Sequence, residues 1–130
     1  MKKLFKPFAS LVLLALFGLA FISCGMRGYS AECYIISSST YSNRPSDATP
    51  EEALSYVKNA SGTSSNGKHW CNNDSGLRDY FSEKCGYLSN MDSIISEINQ
   101  KDVSAFWYAP GILSTKTDYL FFYVENNKLK

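Results

Sequence analysis

The stretch Asp118-Tyr119-Leu120-Phe121-Phe122-Tyr123-Val124-Glu125 decides the fold. Six apolar or aromatic residues run unbroken between two carboxylates, and aromatic and β-branched types favour an extended chain. A second run of this kind, Val103-Ser-Ala-Phe-Trp-Tyr-Ala109, precedes it, and Pro110-Gly111 turns the chain between them. Both runs place bulky side chains on both faces of a strand, so each face must meet something. Helices are expected on one side, and a partner, or tyrosine hydroxyls and solvent, on the other. Two strands alone are marginal, and Glu32 to Ser37 has the composition to supply a third. Asn126-Asn127 reads as a hairpin turn, with only Lys128-Leu129-Lys130 beyond it.

Three helices are expected upstream. Thr49-Pro50-Glu51-Glu52 supplies an N-cap hydroxyl, a proline at the first helical position and a glutamate three residues after the threonine. The acidic pair Glu51 and Glu52 is explained by that cap and the helix dipole. Leu77, Tyr80, Phe81, Cys85 and Leu88 follow a helical rhythm from Asp74 or Ser75, with Gly86 as the break or cap. Met91, Ile94, Ile95 and Ile98 form the apolar stripe of a third helix. Ser38 to Asp47 reads as a linker, and Ser61 to Gly76 as a polar loop around Lys68, His69, Trp70 and Cys71. The fold class is therefore α+β: a small single domain of about three helices on a short antiparallel sheet ending in an aromatic hairpin.

The N-terminus sets the location. Lys2, Lys3 and Lys6 precede an apolar run from Phe8 to Ile22, 15 residues interrupted by Ser10 and Gly18. At about 1.5 Å per residue it spans roughly 22 Å, short of the roughly 30 Å hydrocarbon core, which is the pattern of a secretory signal. Phe21-Ile22-Ser23-Cys24 closes the run and resembles the lipobox of bacterial lipoproteins, with Phe21 where leucine is usual. The resemblance implies that Cys24 receives a diacylglyceryl thioether, becomes the mature N-terminus and anchors the chain to a membrane. Cleavage after Gly25, giving a soluble secreted protein, and retention of an uncleaved helix are the alternatives. The organisation is then a signal peptide over 1–23, a lipid-anchored tether over 24–31 and the domain over 32–130.

Of 130 residues, 107 remain after that signal. Three of the 13 basic residues lie within it and all 12 acidic ones beyond it, leaving ten against twelve and a net charge of −2. Such a balance excludes a sequence-independent nucleic-acid binder. Nine tyrosines, two tryptophans and four phenylalanines beyond Cys24 suffice for a core.

With Cys24 lipidated, Cys33, Cys71 and Cys85 remain, an odd number for an exported chain. Cys71 with Cys85 is the preferred disulfide because it closes a short loop; Cys33 is then free and buried or pairs between molecules. All three pairings stay open. His69 could serve as a base for Cys71, oriented by Asp74 or Asp79, but sequence proximity alone supports that hydrolase. The chain nominates no metal ligand set and no cofactor. Trp70, Trp107 and Tyr108 are the candidate binding residues, because tryptophan and tyrosine anchor partners and stack on rings. The expectation is a membrane-anchored, non-enzymatic lipoprotein of the cell envelope or surface that binds an unknown protein or glycan partner. The alternative is an anchored small-molecule or glycan-binding module in which Trp70 and the hairpin aromatics line one site.

Overall fold

Phe121 and Phe122 leave their strand in opposite directions, and both are buried, at 0% and 1% exposure. The computed structural model that shows this describes residues 28–112 and 115–129. The expected signal segment, residues 1–23, and Cys24 lie outside the described residues. In order, the elements are β1 (Tyr29–Ile36), α1 (Ser38–Ser42), α2 (Pro50–Asn59), β2 (Ser64–Cys71), α3 (Asp74–Cys85), α4 (Met91–Gln100), β3 (Val103–Tyr108) and β4 (Tyr119–Asn126). A 3₁₀ turn, Asn127–Leu129, follows. The four strands form one antiparallel sheet in the order β2-β1-β4-β3. The chain is a small α+β domain.

The alternation of β1 and β4 divides the core in two. Tyr29, Ala31, Cys33, Leu120, Phe122 and Val124 meet α3 and α4 through Leu77, Phe81, Cys85, Ile95 and Ile98. Tyr34, Ile36, Phe121 and Tyr123 meet α2 through Ala53 and Val57. Helices therefore cover both faces. The expectation of a partner or solvent on the second face is corrected: α2, whose apolar side the sequence displays, fills it.

The helix signals act as read. Thr49 Oγ accepts from Glu52 N at 3.2 Å, and Glu52 returns its carboxylate to Thr49 N at 3.3 Å. Asn73 caps α3 through Gly76 N at 2.7 Å, and Gly86, at φ +75°, ends it. Asn90 precedes α4.

Four readings change. The described part of the expected tether, Tyr29 to Ala31, is strand and fully buried apart from 2% of Ser30. Within the expected linker, Ser37 caps the short helix α1 by accepting from Thr40 N. Half of the polar loop is β2, an edge strand whose side chains need no apolar character because all but Cys71 face solvent. Asn126 is no turn residue but a pin: its side chain donates to Ile98 O at 3.0 Å and its backbone N–H to Asp102 O at 2.8 Å.

Phe122→Ala should cost about 3–5 kcal/mol because its ring is enclosed by Phe81 and Tyr80. Thr49→Ala should cost about 1 kcal/mol, the loss of one cap. Urea unfolding of the two variants checks both, and equal losses would contradict the assignment of Phe122 to the core.

Candidate functional site

With both faces covered, the sheet exposes only its edges, β2 and β3. Clefts flank β3. One of about 260 Å³ is lined by Val103, Ser104 and Ala105, with Glu97 and Lys101 of α4 on one side and Pro50 and Ala53 of α2 on the other. A second, of about 300 Å³, continues along Phe106, Trp107 and Tyr108, between Ile94 and Leu88 on one side and Tyr41 on the other. Both hold residues from opposite faces of the sheet, so they straddle the edge. A third, of about 410 Å³, lies between Trp107 and the segment Ser42, Arg44, Pro45 and Ser46. Trp107 borders all three. Its indole is fixed by Phe121, ring centroids 4.6 Å apart, and edge-on by Tyr56 at 6.1 Å. Tyr108 is held by its hydroxyl, which donates to Cys85 O at 3.0 Å. Ser104, 3% exposed, lines the first cleft, and its hydroxyl has no hydrogen-bond partner among the described residues.

No family model, curated protein or solved structure matches the chain. What the cleft can do therefore rests on its geometry. It is concave, aromatic and bordered by an open strand.

The structure joins two of the three expected binding residues and separates the third. Trp107 and Tyr108 share a cleft. Trp70 lies on β2, at the far edge of the sheet, 47% exposed with Lys68 Nζ 5.7 Å from its ring centroid. Three strand spacings of about 4.8 Å separate the two edges, so a single site holding Trp70 and the hairpin aromatics is not formed. Three of the seven hairpin aromatics, Phe121, Phe122 and Tyr123, are core, and the other four are half-buried. Sequence reading missed Arg44, Pro45 and Ser46, which looked like linker; only the fold carries them to Trp107.

The cysteine expectation also changes. Cys33, Cys71 and Cys85 are free and buried. A methyl group placed on Gly76, in the first turn of α3, would stand 3.5 Å from the Cys71 Cβ. Cys85 ends the same helix, nine residues on, roughly 13 Å along its axis. A disulfide needs Cα atoms roughly 4.4–6.8 Å apart, so the rigid helix keeps Cys71 and Cys85 from bonding. Burial pushes the Cys71 thiol up to about 11, with Asp79 adding to it, and burial pushes Cys85 up to about 12. His69 stacks flat on Tyr80, centroids 4.7 Å apart, and no hydrogen bond joins it to Cys71. Cys71 thus lacks the lowered pKa and the adjacent base that an activated nucleophile requires. Among the described residues no cluster of three or more histidine, cysteine or acidic side chains could hold a metal.

A polar knot closes the end of the domain where β1 starts. The Tyr29 hydroxyl donates to Asp74 Oδ1 at 2.6 Å and also meets the Asn99 side-chain amide. Lys128 Nζ donates to the Tyr29 oxygen at 3.1 Å and lies 3.5 Å from Asp74 Oδ1. It ties the starts of β1 and α3 to the end of α4 and the C-terminal turn. Burial raises the Tyr29 pKa and its bond to Asp74 adds to the effect, so the hydroxyl keeps its proton for that carboxylate. The Tyr29 bond in turn holds the Asp74 carboxyl below its usual range, with Asn99 and Lys128 contributing.

Because the folded pKa of Asp74 is lowered, its contribution to stability is complete above the unfolded value of about 3.9 and fades as pH falls through the folded value. Between pH 5 and pH 2, the wild type should lose more of its urea midpoint than Asp74→Asn does. Parallel pH profiles for the two proteins would contradict this.

Proposed function

We propose that the protein is a membrane-anchored bacterial lipoprotein of the cell envelope or surface, and that it acts as a binding module through the β3 edge. One observation carries the binding assignment: Trp107 stands where three clefts meet beside an edge strand. An aromatic anchor fixed by packing, beside a concave site that also holds polar groups, is what a binding surface requires. The anchor rests on the sequence. The short apolar run behind three lysines supports export, and Phe21-Ile22-Ser23-Cys24 supports acylation of Cys24. Several acyl chains, at about 0.8 kcal/mol per buried CH₂, hold a protein to a membrane almost permanently.

Anchor and cleft fit one geometry. From Cys24 to Tyr29 is five residues, at most roughly 17 Å even when fully extended. The domain would thus ride close to the headgroups, with the start of β1 and the end of β4 nearest to them. Val103, paired to Glu125 at that end, would put the mouth of the first cleft near the membrane and Trp107 farther out. A second reading, a glycan or other small ring compound stacked on Trp107, is favoured by the cleft of about 300 Å³, at the lower limit of small-ligand sites.

Intact-mass measurement of the membrane fraction, for wild type and Cys24→Ser with and without reduction, tests the anchor. The wild-type mass should carry acyl chains that the variant lacks, and reduction should leave the Cys24→Ser mass unchanged because its thiols do not pair. An unmodified wild-type mass starting at Met26 would replace the anchored reading with a secreted one. A two-dalton gain on reduction would contradict the free thiols.

A further inference from the structure

We propose that the β3 edge takes an extended peptide as a fifth strand of the sheet, with a carboxylate side chain of that peptide on Arg44. The proposal deepens the reading of the β3 cleft as a binding surface and rests on it. Among the described residues strand β3 pairs only with β4, in unbroken register from Val103↔Glu125 to Tyr108↔Leu120. From Val103 to Trp107, every second residue therefore turns its N–H and C=O away from β4. Among the described residues no other backbone group bonds to them. An extended chain supplies partners at the matching spacing, and strand addition is an established mode of peptide capture.

The two edges of the sheet differ. β2 is protected from such pairing: it is wholly polar up to Trp70, carries Lys68, and breaks register against β1 opposite Cys33, where Gly67 takes φ +93°. β3 has no charge, no proline and no bulge. It lies instead at the floor of a trench. Side chains of an added strand point alternately to the two sides, and the β3 edge has a wall on each: α4 on one, the Ser42 to Ser46 segment and α2 on the other.

Arg44 gives the occupant its charge. Its guanidinium sits 4.0 Å from the Tyr41 ring centroid and donates one bond, to Tyr41 O at 2.8 Å. Its remaining N–H groups have no carboxylate partner among the described residues, whereas Lys101 is paired with Glu97 at 3.0 Å. The fork is thus held beside Trp107 with capacity for a carboxylate. A second copy of this chain fits less well, because its own β3 lies between the same two walls and both sets would have to interpenetrate.

Phage-displayed random linear 12-mers, selected on the folded domain, test the proposal. Enriched peptides should carry an acidic residue and apolar residues at alternate positions. A synthetic copy of one should bind by calorimetry and, in a Trp70→Phe background, quench Trp107 fluorescence. Its affinity should fall roughly tenfold or more on Arg44→Glu, a surface change whose folding is checked by an unchanged melting temperature. N-methylation of alternate backbone amides should abolish binding in one of the two registers and spare it in the other. Undiminished binding by both methylated peptides, with Trp107 still quenched, would overturn strand addition and leave the cleft as the binding surface. No enrichment over Arg44→Glu, or selected peptides that leave Trp107 unquenched, would overturn strand addition, and the latter would remove the cleft reading as well. Self-association of the free domain through β3 would replace the peptide by a second copy.

Discussion

Adjacent residues on a strand project to opposite faces, and in β4 the adjacent residues are Phe121 and Phe122, both fully buried. No single layer of helices can cover them. The rest of the molecule follows from that constraint. β4 must lie inside the sheet, flanked by β1 and β3, with α3 and α4 over Phe122 and α2 over Phe121. The long excursion between β1 and β4 supplies both layers before the chain returns to pair. Where the layers meet the start of β1, Tyr29, Asp74, Asn99 and Lys128 tie four segments by side chains rather than by apolar contact.

Covering both faces leaves the sheet itself open only at its edges. The two edges are built for opposite purposes. β2 is polar, bulged and exposed, and its stability comes from pairing with β1 rather than from burial. β3 is apolar and regular, its side chains half-buried under walls from both layers. The aromatic residue that fills the junction, Trp107, is core on one side and cleft on the other. A structural role and the proposed recognition role meet in one indole, which is why residue type alone did not separate them.

The local signals were legible because they are local. The cap of α2 at Thr49, the glycine ending α3, the stripe of α4 and the two aromatic strands all lie within short windows and appear where the sequence places them. β2 was not legible, since a solvent-facing edge strand lacks the alternation that marks a half-buried one; its pairing with Tyr29 to Ile35 exists only in the fold. α1 was missed because five residues carry no period, only the Ser37 cap. The site followed the same rule. Trp107 and Tyr108 stand in sequence, whereas Arg44 reaches them across some sixty residues of chain. Cys71 and Cys85 misled because loop length in sequence ignores the rigid helix between them.

The peptide-binding role proposed for β3 depends on that strand being an open edge at the floor of a trench. Residue-resolved hydrogen exchange on the monomeric domain measures that directly. From Val103 to Trp107, amides bonded to β4 should exchange slowly while those alternating with them exchange orders of magnitude faster, and β4 itself should be protected throughout. Uniform protection of Val103 to Trp107 in a monomer would mean that the edge is already paired, and the cleft would lose its role.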